Sequence, residues 1–218
     1  MYPDQWMEYL ELIEQAREEW QGRVDVRLGL ECDFLPGLEP FLEKQIGSAS
    51  LNHVLGSVHP QIGEYRRRYY TGDAIAYQRS YFEHLAQAAE TGLFDTLAHP
   101  DLVKNVFPNE WQIERVMADI ERALDRIAAT GTAMEVNTSG LLKVIPELNP
   151  GRTILEKMHA RGIPVVLGAD AHVPERVAAT YEDTLDLLEQ IGYSHINFFL
   201  NRERQTIAID TARSSLRA

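Results

Sequence analysis

Ionisable side chains follow several apolar segments of this sequence, at the point where each segment ends. The segment GIPVVLGADAH, residues 162–172, ends in Asp170 and His172, which lie two positions apart. Side chains two positions apart on a β-strand point to the same face, so we expect this carboxylate and this imidazole to face one spot. Converging carboxylate and imidazole groups bind divalent metals or transfer protons.

The same pattern recurs in four other segments: Glu31 and Asp33 in GLECDF, His59 in GSVH, His99 and Asp101 in LAHPD, and Glu135 and Asn137 in MEVNTSG. One such residue is usually a hydrogen-bonded structural group, but five polar strand ends favour a common site. Histidine and carboxylates without a thiolate cluster suit Zn²⁺, Mn²⁺ or Fe²⁺. A site with several such metals makes a metal-bound hydroxide at neutral pH and binds the oxygens of a phosphate ester, which suits hydrolysis. Nucleophilic catalysis by a Ser–His–Asp triad is disfavoured, because no G-x-S-x-G motif occurs.

Predicted helices and strands alternate along the chain. The strands are predicted at 23–34, 53–59, 94–99, 133–139, 163–170 and 195–200, with an edge strand at 204–209, and the helices at 4–20, 37–47, 73–92, 109–131, 151–162 and 175–192. This alternation predicts parallel βαβ units, in an open doubly wound sheet or a (β/α) barrel. In a barrel the carboxyl ends of the strands meet at one mouth, which would gather the polar residues. The phosphate-binding glycine motifs of dinucleotide-binding and P-loop proteins do not occur.

The composition predicts one domain over residues 1–218, with a frayed tail at about 210–218. Of the 218 residues, 44% are hydrophobic and 25% are charged, which suits a single core. The net charge of -12 opposes nucleic-acid binding. Cys32 is the only cysteine, and no apolar stretch approaches the roughly 20 residues that span a bilayer. We therefore expect a cytoplasmic protein without membrane contacts.

Four motifs resemble, in order, those of the PHP family, the polymerase-and-histidinol-phosphatase metallohydrolases. GLECDF, GSVH, AHPD and GADAH match its G-x-E-x-D, G-S-V-H, A-H-P-D and S-D-A-H motifs, and EVNTSG resembles the E-x-N-T stretch of the histidinol-phosphatase branch. The match runs from about Arg23 to about Arg176. The resemblance implies a distorted, seven-stranded TIM-like (β/α) barrel with up to three divalent metals at its mouth. It also implies hydrolysis of a phosphomonoester, most often L-histidinol phosphate in histidine biosynthesis.

The resemblance also implies roles for individual residues. The implied metal ligands are Glu31, His59, His99, Asp170 and His172. Asp170 or His172 would also protonate the leaving alkoxide. The predicted substrate-binding residues are Arg176, Lys104, Asn137 and Lys143. The basic run at 66–68, predicted to lie in the loop after His59, would attract an anion or simply be solvated.

Two features depart from the family pattern. The family begins with an H-x-H strand and supplies four metal ligands from its first two βα units, whereas no H-x-H occurs in these 218 residues. We therefore expect roughly the first two βα units to be missing, fewer than three bound metals, and weak or absent phosphatase activity. An incomplete barrel would expose a sheet edge and favour a homodimer. The second departure is Leu142, where the branch commonly has a basic residue, for which the adjacent Lys143 is expected to compensate.

The other four histidines, His53, His84, His159 and His195, begin strands or lie in helices, and we expect them to be structural. The leading hypothesis is a metal-dependent phosphatase of the histidinol-phosphatase type. The alternatives are another PHP phosphoesterase, such as a phosphodiesterase or exonuclease, and a non-catalytic metal-binding remnant.

Overall fold

The computed structural model describes residues 5–217, which contain one seven-stranded sheet. Its strands are β1 (Gly29–Asp33), β2 (His53–Ser57), β3 (Thr96–Leu97), β4 (Ala133–Asn137), β5 (Val165–Gly168), β6 (His195–Leu200) and β7 (Glu203–Ala208). They lie side by side in chain order, with β1 to β6 parallel and β7 antiparallel to β6. A parallel sheet built in chain order is typical of a (β/α) barrel, so the predicted TIM-like fold class is confirmed.

Helices connect most of the parallel strands and cover one face of the sheet. They are α1 (Trp6–Glu19), α2 (Glu39–Ile46), α3 (Gly63–Tyr69), α4 (Ala74–Glu90), α5 (Met117–Thr130), α6 (Arg152–Ala160), α7 (Tyr181–Ile191) and α8 (Ile209–Leu216). Local signals set their ends: the Asp73 carboxylate accepts from the backbone N–H groups of Ile75 and Ala76 at the start of α4. Gly131, with φ +74°, ends α5 in the left-handed conformation that glycine permits.

The main hydrophobic core lies between the sheet and these helices. Val54, Met134 and Val165 are fully buried in it, and successive side chains along each strand alternate between this face and the inner face. On the inner face a smaller cluster consists of Ala133, Val166 and Phe199. Strand residues next to these core positions therefore lie on the inner face, and the residues after each strand lie at its carboxyl end.

The sheet is open within residues 5–217, since β1 and β7 are its two edges and do not pair. Its inner face lines a cavity of about 390 Å³, which extends from Asn52 and His53 to Glu135 and Gly168. No helix within the described range is long and apolar enough to cross a membrane.

Two predicted segments differ from the structure. The basic run at 66–68 lies in α3 and not in a loop, and there Arg67 and Arg68 pair with Glu64 one helical turn away. The tail expected to fray at 210–218 is helical as far as Leu216, because Ile209 and Ala212 bury one face of α8. Residue 218 lies outside the described residues.

Candidate metal centre

Three ionisable side chains meet at the carboxyl ends of the first three strands. Glu31 of β1, His59 after β2 and His99 after β3 each offer a ligand atom, and these atoms all lie within 4.8 Å of one another. Oε1 of Glu31 is 3.1 Å from Nε2 of His99 and 3.5 Å from Nε2 of His59. The two imidazole rings are 4.8 Å apart between centroids. We call these three residues the metal cluster.

Asp33 orients the ring of His59. It lies two positions after Glu31 on β1, and its carboxylate hydrogen-bonds to Nδ1 of His59. The Ser57 hydroxyl lies 3.3 Å from the same nitrogen and donates to the carbonyl oxygen of Cys32 at 3.1 Å. A carboxylate on one ring nitrogen leaves the other nitrogen free to bind a metal and makes it more basic. Nε2 of His59 is therefore directed toward Glu31.

His99 is held in place through its backbone. Its φ of +31° is unusual for a residue other than glycine, and hydrogen bonds hold its backbone on both sides. The His99 N–H donates to Oε2 of Glu135 at 2.8 Å, and its carbonyl accepts from the hydroxyl of the buried Tyr81 at 3.0 Å. The imidazole is buried, and its Nδ1 has no hydrogen-bond partner within residues 5–217. A buried structural histidine normally satisfies both nitrogens, so this ring fits a metal ligand better.

The electrostatics of the cluster favour an ionised carboxylate. Burial raises the pKa of Glu31, but the hydrogen bond with His99 and the positive charges of His99 and His59 outweigh it, and the pKa lies below its usual value. Burial lowers the pKa of His59, yet its hydrogen bond with Asp33 and the charges of Asp33 and Glu31 raise it overall. Glu31 is therefore ionised at neutral pH and offers a negatively charged ligand to a cation.

Glu135 links the cluster to the next strands. Oε2 of Glu135, besides its bond to His99, accepts from Nδ2 of Asn137 at 3.1 Å. The Asn137 backbone pairs with Asn149, whose side chain donates to Asp101 at 2.5 Å. Burial raises the pKa of Glu135, although the charge of His99 opposes this. The Asn137 side chain is therefore used to position Glu135 and to accept from the N–H of Ser139, at 2.9 Å, which disfavours its predicted contact with substrate.

Asp170 and His172 lie beside the metal cluster but outside the group of three. β5 ends at Gly168, and Asp170 has a φ of +47°, so strand alternation does not place these two side chains. They still face each other, with Nε2 of His172 3.2 Å from Oδ1 of Asp170. Burial raises the pKa of Asp170, but the hydrogen bond from Ser139 and the charges of His99, His172 and Lys143 lower it overall. The imidazole of His172 is 89% exposed.

The predicted phosphate-binding cations fall into two groups. Lys143 is partly buried after β4, and its charge helps to lower the pKa of Asp170. Arg176 is partly buried in the 3₁₀ turn Pro174–Arg176, which follows β5. Lys104 is different. Its side chain is 0% exposed, and its ammonium donates to Asp101 at 2.8 Å, to Glu147 at 3.0 Å and to the carbonyl of Leu148 at 2.9 Å. An ammonium has three donors, so Lys104 has none left for substrate, and the structure does not support its predicted role.

Two residues that position the site were not among the predicted metal ligands and substrate-binding residues. Asp33 follows the metal ligand Glu31 at the spacing that places both on one face, and this spacing is the signal for its role. Gly168 ends β5 against the Glu135 carboxylate, and a glycine at the end of an apolar strand next to a buried acid indicates such a close approach.

The donor set suits a divalent metal. Two imidazoles and a carboxylate are the ligands that Zn²⁺ takes in sites that keep one position open for water or substrate. His59 donates its Nδ1–H to the Asp33 carboxylate, as metal-bound histidines commonly do. The buried Nδ1 of His99 has no hydrogen-bond partner within residues 5–217. The strand ends therefore form a candidate centre for one divalent metal, with Asp170 and His172 at its side.

The sequence resembles curated histidinol-phosphatases. It is 36% identical over 205 residues to a Deinococcus radiodurans protein named "Probable histidinol-phosphatase", covering 89% of this chain and 76% of that protein. A Thermotoga maritima protein of the same name is 29% identical over 119 residues, which cover 54% of this chain and 50% of the relative. A scan against family models finds no match.

The fold also resembles that of solved histidinol phosphatases. The crystal structure of the histidinol phosphate phosphatase from Lactococcus lactis, complexed with zinc, L-histidinol and phosphate, aligns with a TM-score of 0.74 at 20% identity. The alignment covers 91% of this chain and 78% of that chain. Together with the five ordered motifs and the metal cluster, the identity to the Deinococcus protein shows that this chain belongs to the histidinol-phosphatase branch of the PHP family.

Proposed function

We propose that this protein is a metal-dependent phosphatase that hydrolyses a small phosphomonoester. The observation that carries the proposal is the metal cluster of Glu31, His59 and His99 at the carboxyl end of a barrel-type sheet. Catalysis on such folds takes place at this end. The Lactococcus protein binds zinc, L-histidinol and phosphate, which supports L-histidinol phosphate as the first substrate to test.

The chain's own residues suggest a division of labour. Glu31, His59 and His99 would hold a divalent cation, which supplies a Lewis acid that activates water and neutralises charge on phosphate oxygens. The charge of Lys143 helps to lower the pKa of Asp170. With Arg176, Lys143 would bind the remaining phosphate oxygens. His172, exposed at the mouth and 3.2 Å from Asp170, would donate a proton to the leaving oxygen. Asp170, itself hydrogen-bonded by Ser139, would orient that imidazole.

We propose that this chain binds fewer than three metals and turns over slowly. The described residues contain one candidate group of three ligands, and no H-x-H occurs in the sequence. Zn²⁺, Mn²⁺ and Fe²⁺ all suit this donor set. Asp170 lies at the side of the cluster and is the residue that would bind a second cation, which leaves the exposed imidazole of His172 free to donate its proton.

The test measures metal content and activity on one sample. Elemental analysis of gently purified protein is combined with hydrolysis of p-nitrophenyl phosphate and L-histidinol phosphate in Zn²⁺ and in Mn²⁺. The double variant Glu31→Gln, His59→Ala is the matched control. We expect one or two metals per chain and slow turnover, both lost in the control. Metal binding without turnover of either ester would favour the non-catalytic alternative, and cleavage of dinucleotides in preference to monoesters would favour the phosphodiesterase alternative.

We also propose a cytoplasmic homodimer. The single cysteine, Cys32, is buried and free, which fits a reducing compartment. Among residues 5–217 no strand pairs with the outer edge of β1, and unpaired edges of this kind can pair with other chains. Light scattering after size exclusion should give twice the chain mass of 24.8 kDa, and a monomer at all concentrations would contradict the dimer.

A further inference from the structure

Two hydroxyl groups just after β4 donate hydrogen bonds to the two ends of one loop. This loop joins β5 to α7 and consists of residues 169–180; we call it the β5–α7 loop. The Ser139 hydroxyl donates to Oδ2 of Asp170 at 3.1 Å, near the start of the loop. The hydroxyl of Thr138, a fully buried residue, donates to the carbonyl oxygen of Ala179 at 2.9 Å, near its end. Two neighbouring residues therefore hold both ends of the loop.

These contacts lie where the backbone of the loop is least favourable. Asp170, Ala178 and Thr180 have φ values of +47°, +55° and +61°, in the left-handed region that residues other than glycine seldom adopt. A conformation of this kind persists only where the surrounding structure holds it. Ser139 contacts the first of these residues, and Thr138 contacts the residue between the other two. The two hydroxyls therefore stabilise the backbone conformation at both ends of the loop.

The middle of the loop has no comparable support. Within the described residues, the backbone hydrogen bonds of residues 171–178 stay within the loop and the first residue of α7. Residues 171–175 are exposed, and they include His172, whose Nε2 lies 3.2 Å from Oδ1 of Asp170. The position of His172 relative to the metal cluster therefore depends on how the ends of the loop are held.

The end of β4 also positions the metal cluster. The Asn137 side chain accepts from the N–H of Ser139 at 2.9 Å and donates to Oε2 of Glu135 at 3.1 Å. The same carboxylate oxygen accepts from the N–H of His99 at 2.8 Å. A continuous series of hydrogen bonds therefore joins His99 in the metal cluster, through the end of β4, to Asp170 in the loop.

We propose that Thr138 and Ser139 are positioning residues for the reaction. By holding both ends of the β5–α7 loop, their hydroxyls fix His172 where its imidazole protonates the leaving oxygen. In that step water adds to phosphorus, the bond from phosphorus to the ester oxygen breaks, and the imidazolium proton passes to that oxygen, which leaves as the alcohol. This inference rests on the proposed phosphatase function, in which His172 donates that proton.

The expected signature is a loss of activity that depends on the leaving group. An alkoxide is far more basic than p-nitrophenolate, so an alkyl ester needs the proton much more than p-nitrophenyl phosphate does. Loss of either hydroxyl should therefore reduce the hydrolysis of alkyl esters selectively. A variant that is merely unstable, or that has lost metal, loses both activities in the same proportion.

The first measurement is kcat for L-histidinol phosphate, an alkyl ester, and for p-nitrophenyl phosphate with the metal-loaded protein. Ser139→Ala and Thr138→Val should lower kcat for the alkyl ester by about 10- to 100-fold and for p-nitrophenyl phosphate by less than about threefold. Thr138→Ser keeps the hydroxyl and should retain the ratio of the two rates. Thr130→Val is the matched control, since the Thr130 hydroxyl also donates to a backbone carbonyl, that of Ile127 in α5.

A double-variant cycle tests whether the hydroxyls act through His172. His172→Ala should by itself lower the rate for the alkyl ester, and adding Ser139→Ala should then change that rate by less than about twofold. Losses that simply multiply in the double variant would show that Ser139 acts by another route and would overturn the inference.

Hydrogen exchange separates this inference from the proposed function, because it requires no turnover. Mass spectrometry follows exchange of the amides of residues 171–178 in the native protein. We expect exchange to be about tenfold faster in Thr138→Val and Ser139→Ala and unchanged in Thr130→Val. Faster exchange in a protein that hydrolyses neither ester would support the role of the hydroxyls in holding the loop and contradict the phosphatase function. Unchanged exchange, with equal losses for both esters, would overturn the inference and leave the phosphatase function standing.

Discussion

Gly168 and Glu135 occupy complementary space at the ends of neighbouring strands. A Cβ at position 168 would lie 1.8 Å from Oε1 of Glu135 and 2.7 Å from its Cδ. The carboxylate cannot swing away cheaply, because its other oxygen accepts from the N–H of His99 and from Asn137. The glycine therefore allows a buried acid to hold the backbone of a metal ligand.

The first prediction follows from this contact. Gly168→Ala should displace Glu135, lower the free energy of unfolding by about 1–3 kcal/mol and weaken metal binding by about 10- to 100-fold. Urea unfolding and metal titration measure the two effects. Gly63→Ala is the control, because its Cβ would meet only the end of the Arg67 side chain, at 3.3 Å. Unchanged metal affinity in Gly168→Ala would show that Glu135 does not position His99.

The second prediction separates the three clustered ligands from the two residues beside them. Glu31→Gln, His59→Ala and His99→Ala should each abolish tight binding of the first metal, because each removes one of three donors. His172→Ala should leave this metal bound, since its imidazole lies outside the cluster and is 89% exposed. Elemental analysis and a Co²⁺ absorption titration provide the readout. Loss of the first metal in His172→Ala would place that residue among its ligands.

The third prediction concerns the orientation of His59. Asp33→Asn should weaken metal binding by about 10- to 100-fold, because the amide no longer fixes the tautomer and the basicity of the ring. The matched control is Asp25→Asn, which removes an exposed carboxylate that pairs with Arg27 just before the same strand. Metal titration at pH 8 compares the two variants. Equal affinities would mean that Ser57 alone suffices to orient the ring.

The fourth prediction contrasts two lysines. Lys104→Met leaves Asp101 buried without its cation and should cost about 3–5 kcal/mol in the free energy of unfolding. Lys143→Met should change stability by less than about 0.5 kcal/mol and weaken inorganic phosphate binding about tenfold. Urea unfolding and phosphate competition distinguish them, and the double variant Asp101→Asn, Lys104→Met should recover part of the lost stability. A stable Lys104→Met variant with impaired phosphate binding would restore the role first predicted for Lys104.

The fifth prediction concerns pH and His84. This buried ring contacts the hydroxyl of Tyr65 at 2.7 Å, and burial lowers the pKa of His84 to about 4. Below a pH of about 6.5 His84 becomes protonated in the unfolded chain but stays neutral in the folded protein. The free energy of unfolding therefore falls as the pH drops toward 4. Between pH 7.5 and 5 this residue should cost about 2 kcal/mol. His84→Gln should lose this dependence and the exposed control His195→Gln should keep it, as measured by urea unfolding.

The sequence by itself determined the order of elements and the polar strand ends. Alternating apolar segments predicted six parallel strands and an edge strand, because the period of the pattern depends only on local backbone geometry. The spacing of Glu31 and Asp33, and of Glu135 and Asn137, predicted that each pair lies on one face of its strand. In the structure Glu31 and Asp33 both contact the ring of His59, and Asn137 donates to Glu135.

Only the tertiary structure decided which of these polar groups meet. The buried ammonium of Lys104 donates hydrogen bonds to Glu147 and Leu148, which lie more than forty residues further along the chain. No local sequence pattern predicts such a contact. Asp170 leaves its strand in a left-handed turn, so alternation could not place it beside His172. The hydrophobic pattern of a sequence reflects backbone geometry within a few residues, whereas the partners of a side chain depend on packing between distant segments. The five predicted ligands therefore resolve into a cluster of three and a pair beside it only when the chain is folded.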